Sequence, residues 1–291
     1  MTERMTTSRP PNFPGPRVLG ICGGIAVGKS TFGKNFVDRA KKTWAGHEVV
    51  FEEEQVIQPL LSAYLKDPEA YGSDFQTVMG MAAAQRQQRA EYLRDVQEPK
   101  RMILLERPLW ENVVFAEANV RFGSFTKAYY DDFYMPLIEA HHSSHPDLLV
   151  YLHASERTRA FRREDRNRAD EDLYKDRYMN ILGDCYFDFV IEHAAKRKLL
   201  VLNWNDYGDM HKVLATVSAV LNGDKQLPRV VRNELSSSSD SSSEDGAPAQ
   251  MTITVKEQTS FFETLSTKKR RKAQDLVMEA LANFQDVVIN N

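Results

Sequence analysis

The sequence predicts an α/β fold in three layers, a five-stranded parallel sheet with helices on both faces. Two observations predict it. Five short apolar runs, of the kind found in buried strands, recur along residues 17–222. Longer stretches of helical composition separate them, and strands alternating with helices pack as a parallel sheet covered on both sides. In such sheets ligands sit at the carboxyl ends of the strands, so the chemistry is sought just after each run.

The first run, RVLGIC (17–22), leads into GGIAVGKS and a helix starting near Gly28. The second, HEVVFE (47–52), ends in three consecutive glutamates, Glu52, Glu53 and Glu54. Strand alternation places Glu52 and Glu54 on one side and Glu53 on the other. A helical stretch over 73–97 leads to RMILLE (101–106), followed by Arg107 and a second helical stretch over 109–143. DLLVYLH (147–153) precedes an arginine-rich segment from Glu156 to Glu171, and KLLVLNW (198–204) closes the series.

Composition sets outer bounds. The 291 residues are 42% hydrophobic and 10% aromatic, enough for a sizeable core. A net charge of −3 argues against a general nucleic-acid coat protein. Two cysteines, Cys22 and Cys185, imply no disulfide framework and favour a reducing compartment. No run of about 18 apolar residues and no leader pattern is present, so a soluble intracellular protein with no membrane or nucleic-acid partner is expected. The chain divides into a proline-rich disordered lead (1–16), the patterned domain (17–222), a serine and acid linker (223–250) and a tail (251–291).

The first strand end carries the most specific motif. Gly23, four residues, Gly28, Lys29 and Ser30 form a P-loop. Backbone N–H groups of Gly23, Gly24, Ile25, Ala26, Val27, Gly28, Lys29, Ser30 and Thr31 would cradle phosphates. Lys29 would place a charge on the outer phosphates, and the Ser30 hydroxyl would bind Mg²⁺. The motif follows a strand and opens a helix, whose positive end adds to it. A nucleoside triphosphate, ATP, is the expected ligand. Glu106 and Arg107 sit at the third strand end; Glu106 would reach Mg²⁺ and Arg107 a phosphate or reacting oxygen. A surface ion pair is the plain alternative. Arg162, Arg166 and Arg168 stand in a segment whose arginines outnumber its acids, as a lid over transferred phosphates would require.

Taken in order, the P-loop, the strand-two glutamate, KDPEAYGSDFQ, LLERPLW, VFAEAN and the arginine segment resemble the deoxynucleoside kinase family over about residues 17–222. That family includes deoxycytidine and deoxyguanosine kinases, the mitochondrial-type thymidine kinase and bacterial deoxyadenosine kinases. The resemblance implies a P-loop kinase fold with an arginine-rich lid, phosphorylation of a deoxyribonucleoside 5′-hydroxyl by ATP and Mg²⁺, and a homodimer through 55–66 and 109–140. Counting back from Asp67-Pro68, with Pro59 in register, the family's general base falls on Glu53, and a one-residue slip selects Glu52. Glu54 stands where the family has proline, and Pro108 where it has serine. The resemblance further implies Ser30 and Glu106 at the metal, Arg107 at the 5′-oxygen, and Gln76 on the base. Glu171 would meet the sugar 3′-hydroxyl, with Leu65 where a tyrosine is usual and Tyr64 one residue before. Ala83 and Asn112 replace the family's Arg and Asp above the base, so Asn112 faces the base without charge. Phe75 and Phe115 are stacking candidates.

Two other readings compete. A nucleoside-monophosphate kinase shares the P-loop, sheet and lid, but acids after strands two and three and the lack of a second basic cluster favour the nucleoside kinase. A non-catalytic nucleotide-binding protein would fit Glu54, Pro108 and Leu65, and is opposed by Lys29, Glu53, Glu106 and Arg107. Beyond the domain, SSSSDSSSED (236–245) suits acid-directed phosphorylation, and KKRRK (268–272) reads as an import address. A helical apolar stripe from Leu276 to Val288 follows, fit for an import receptor or a protein partner. A plain disordered tail on a cytoplasmic protein is the alternative to nuclear import.

Overall fold

The structure is a computed structural model. It describes residues 11–96, 98–142, 144–166, 170, 176–196, 199–227, 229–233 and 252–256. The five apolar runs form β1 (Arg17–Cys22), β2 (Glu48–Glu52), β3 (Arg101–Glu106), β4 (Leu148–His153) and β5 (Leu199–Asn203). They pair in the order β2-β3-β1-β4-β5, every pair parallel. The register sets Ile21 beside Glu106 and Glu52 beside Leu105, so the carboxyl ends of β1, β2 and β3 converge.

Helices cover both faces: α1 (Lys29–Thr43), α2 (Gln58–Lys66), α3 (Pro68–Asp95), α4 (Leu109–Phe122), α5 (Lys127–Tyr129), α6 (Met135–His141), α7 (Glu156–Arg166), α8 (Asp176–Lys196) and α9 (Met210–Asn222). Successive β1 side chains serve opposite layers. Leu19 and Ile21 join a core with Phe32 and Phe36 of α1 and Leu214 and Val217 of α9. Val18 and Cys22 face the other way, Val18 with Ala90 of α3 and Cys22 with α4 and α8 residues. Each fully buried side chain such as Phe32 contributes roughly 1.5–3 kcal/mol. Among the described residues no helix is long and apolar enough to cross a membrane.

Several boundaries depart from expectation. The helix expected over 109–143 is broken. Gly123, at φ 98°, closes α4 with its N–H on the Asn119 and Val120 carbonyls. The Thr126 hydroxyl then starts α5 by accepting the Tyr129 N–H, and a π turn at Tyr130–Tyr134 joins α5 to α6. The helix expected from residue 73 begins at Pro68 instead, because Asp67 caps it by accepting the Ala70 N–H and proline suits the first position. The end of the expected disordered lead is packed: Phe13 stacks on His47 at 4.0 Å, and the Trp44 indole donates to the Pro11 carbonyl. Past the domain, β-branched RVVRN and TITVK form a parallel pair, β6 (Arg229–Asn233) and β7 (Thr252–Lys256), within segments expected as linker and tail. The rest of the serine tract, the basic run and the apolar stripe lie outside the described residues.

Candidate active site

A cavity of about 520 Å³ opens at the carboxyl ends of β1, β2 and β3. The loop after β1 lines one wall through Ile25, Ala26, Val27 and Gly28. It holds left-handed backbone at Ala26 (φ 60°) and Gly28 (φ 98°), a geometry that turns successive N–H groups inward. A Cβ on Gly23 would lie 2.8 Å from the Leu152 carbonyl, so only glycine fits there. Lys29 is buried, and its Nζ donates to the Gly23 and Gly24 carbonyls at 2.8 and 3.3 Å. Burial pulls its pKa down, as does Arg107, against the pull of Glu111, Glu106 and Glu54.

The expected metal pair is brought together. The Ser30 hydroxyl lies 3.1 and 3.2 Å from the two Glu106 oxygens. Burial raises the Glu106 pKa, opposed by Lys29. Two hard oxygen ligands suit Mg²⁺, which keeps several waters and takes one or two carboxylates plus phosphate oxygens. A cluster of three or more His, Cys, Asp or Glu is absent among the described residues, and such a site does not need one.

The three glutamates separate. Glu52 pairs with Arg89 at 3.1 Å. Glu53 pairs with Lys34 at 2.9 Å on the rim, where both side chains are well exposed. Glu54 turns inward: its Oε1 meets Arg107 Nε at 2.7 Å, its N–H donates to Glu106, and its side chain is 10% exposed. Burial alone would raise the Glu54 pKa, but Arg107 and Lys29 overcome it and hold the carboxyl below its usual range. Glu53, expected as the base, borders the cavity yet is drawn to Lys34; the carboxylate aligned with Arg107 and Glu106 is Glu54. The physical reason lies at the strand end. β2 stops at Glu52, so strict alternation no longer governs the two residues after it.

Arg107 is held from every side. Its backbone sits at φ 54°, a strained conformation for a non-glycine residue, and its N–H bonds the Ile21 carbonyl. The guanidinium lies 4.1 Å over the Phe115 ring and donates to the Tyr186 hydroxyl at 3.2 Å. Pro108 caps α4 directly after it. Gln76 is buried, its Nε2 donating to the Asn112 carbonyl and the Tyr134 hydroxyl at 2.9 and 3.0 Å. Asn112 lines the cavity beside it with a buried Nδ2 that has no hydrogen-bond partner. Tyr64 stacks on Phe75 at 4.9 Å and its hydroxyl donates to Asn119; burial pushes its pKa up to about 12. Leu65 packs in the core with Leu61.

Of the expected lid arginines, Arg162 and Arg166 line the cavity, while Arg168 and Glu171 lie outside the described residues. Arg162 donates to the carbonyls of Val27, Trp204 and Asn205 and lies 4.0 Å under the Tyr207 ring. Sequence reasoning missed Tyr207, Tyr178, Tyr186 and Glu111. Tyr207 and Tyr178 line the cavity; Tyr207 takes φ 58°. Glu111 carried one visible sign, its place four residues after Arg107.

A phosphate loop, a metal-suited carboxylate and a buried carboxylate–arginine pair facing one cavity define a P-loop phosphotransferase. A family model for deoxynucleoside kinases matches residues 19–222. The chain belongs to the deoxynucleoside kinase family, and it is a kinase that phosphorylates deoxynucleosides, which decides among the three readings above. The deoxyguanosine kinase of Dictyostelium discoideum is 26% identical over 219 residues, 73% of this chain and 72% of that one. Among solved structures, deoxyadenosine kinase from M. mycoides with the products dCMP and a flexible dCDP is similar at TM-score 0.57 and 22% identity, covering 71% of this chain and 99% of that one. The same enzyme with bound dATP gives 0.56 and 24%, covering 70% and 98%.

Proposed function

We propose that the cavity transfers the γ-phosphoryl group of ATP to the 5′-hydroxyl of a deoxynucleoside, with Glu54 as general base. The observation that carries this assignment is the Glu54–Arg107 pair, 2.7 Å apart, nearly buried and lining the same cavity as the P-loop. An alcohol attacking a phosphoryl group needs a carboxylate within hydrogen-bond reach, already ionised. Arg107 keeps Glu54 ionised and has donors to spare for the attacked oxygen. Bound at Ser30 and Glu106, Mg²⁺ would neutralise charge between the outer phosphates. Lys29 would leave the loop carbonyls for a phosphate, and Arg166 would meet charge building on the transferred group.

The base of the nucleoside would lie against Gln76 and Asn112, where an orphan amide donor awaits an acceptor. The donor's base would rest by the Arg162–Tyr207 stack. A homodimer is proposed as well; Phe133, 48% exposed in the π turn, lies on one of the segments expected to form it. Labelled ATP offered with four deoxynucleosides, four ribonucleosides and the matching monophosphates tests the function. A labelled 5′-monophosphate from at least one deoxynucleoside is the expected product. Labelled diphosphate from monophosphates alone would refute it.

A further inference from the structure

We propose that Glu111 and Tyr186 form a buried positioning pair that ties the first peptide of the P-loop to Arg107, and so aligns the phosphate side of the cavity with the base side. Neither residue belongs to the P-loop or lines the cavity. Glu111, on the first turn of α4, has no exposure at all. Its Oε1 accepts the Gly23 N–H at 2.8 Å and the Tyr186 O–H at 2.6 Å, with Arg107 Nη1 at 3.8 Å. Tyr186, on α8, is also buried, and its oxygen accepts from Arg107 Nη1 at 3.2 Å. The hub thus joins three elements that have no covalent reason to move together: the loop after β1, the residue after β3, and α8.

The proton count shows what the pair does. Tyr186 has one hydroxyl proton and two acceptors in reach, Glu111 at 2.6 Å and the Gly23 carbonyl at 3.1 Å. The Glu111 oxygen is the nearer of the two, so the proton belongs to Glu111. Burial beside Glu111 holds the hydroxyl protonated. On the other side, Arg107 is gripped at Nη1 by Tyr186 and at Nε by Glu54, so its plane is fixed by two contacts. Glu111 Oε2 has no hydrogen-bond partner, so one carboxylate oxygen is left buried and unsatisfied to keep the other in place.

This inference rests on the kinase reading of the cavity, and the wild-type protein with its best deoxynucleoside controls for that reading separately. The test measures kcat, both KM values and thermal melting for Tyr186→Phe, Glu111→Gln and the double variant, at a temperature where each is folded. Misplacing reacting groups by about 1 Å costs about 10²-fold, so each single variant is expected to lose about 10- to 100-fold in kcat with nucleoside KM within about threefold. Because the two act as one unit, the double variant is expected to fall no further than the worse single. Unchanged kcat in a folded Tyr186→Phe protein, a loss confined to nucleoside KM, or losses that multiply in the double variant would each overturn the proposal. If Glu111→Gln fails to fold, Tyr186→Phe, which removes a single oxygen, decides alone. A wild-type protein without turnover would instead overturn the kinase reading.

Discussion

Three adjacent glutamates meet three different cations, and exposure sorts their duties. The Glu52 and Glu53 partners, Arg89 and Lys34, are 69% and 61% exposed, so those pairs are worth little. The Glu54–Arg107 pair is at most 10% exposed on either side. Removing one member of such a pair leaves a buried charge, so Glu54→Gln should cost about 3 kcal/mol or more at pH 7. The sign with pH follows from the depressed Glu54 pKa. Its stabilisation is fully present above the unfolded value, about 4.3, and is lost as pH falls through the lower folded value. The melting temperatures of wild type and Glu54→Gln should therefore differ most near neutrality and converge in acid. Glu106 has the opposite sign, and the Glu54 charge is one cause of its raised pKa, so Glu54→Gln relieves part of that cost and narrows the gap at neutral pH without reversing its trend. A gap that stays constant from neutral to acid pH would contradict the ion-pair account. Lys29→Ala should raise the ATP KM or lower turnover, since its charge serves the phosphates; unchanged turnover at subsaturating ATP would contradict that.

Strands read well from the sequence because five buried runs carry their own pattern, and each lies within a residue of its expected place. The P-loop, Ser30, Glu106 and Arg107 were legible for a like reason, since each stands at a strand end or in the motif that opens there. What escaped reading depends on contacts between distant segments. Glu54 is singled out by Arg107, just past the end of another strand, and Glu111 and Tyr186 are 75 residues apart in the chain. The break after α4 turns on Gly123 alone, one glycine among 14. Helix α7 shows how an arginine run expected as a lid can brace the fold. Arg162 braces three carbonyls from the P-loop and the segment after β5 with a planar fork that lysine lacks. Arg162→Lys should therefore behave like Arg162→Ala, raising the ATP KM about tenfold, near 1.4 kcal/mol, while nucleoside KM holds. Wild-type ATP KM in Arg162→Lys would show that charge alone suffices.

At the scale of the molecule, the parallel sheet does the assembling: β1 leads into the phosphate loop, β2 into the proposed base Glu54, and β3 ends in Glu106, the proposed metal carboxylate, followed by Arg107. Every residue lining the cavity falls between 25 and 207. Removing 236–291 should accordingly leave kinase activity intact; we propose that it alters location in a eukaryotic cell, because KKRRK is lost. Unchanged location of the truncated protein, seen by fluorescence, would refute the import reading, and lost activity would refute the domain boundary. The proposed homodimer predicts a sedimentation mass near twice 33.3 kDa, and a monomer mass would count against it. The central claim is the proposal that Glu54, held by Arg107 and lining the cavity with the P-loop, is the base. Single-turnover phosphoryl transfer with saturating labelled ATP and deoxynucleoside, compared among Glu52→Gln, Glu53→Gln and Glu54→Gln, tests it most directly. The account predicts that Glu54→Gln alone loses about 10²–10⁴-fold while still binding ATP. Near-normal transfer by Glu54→Gln, with the loss falling on Glu53→Gln or Glu52→Gln, would contradict it.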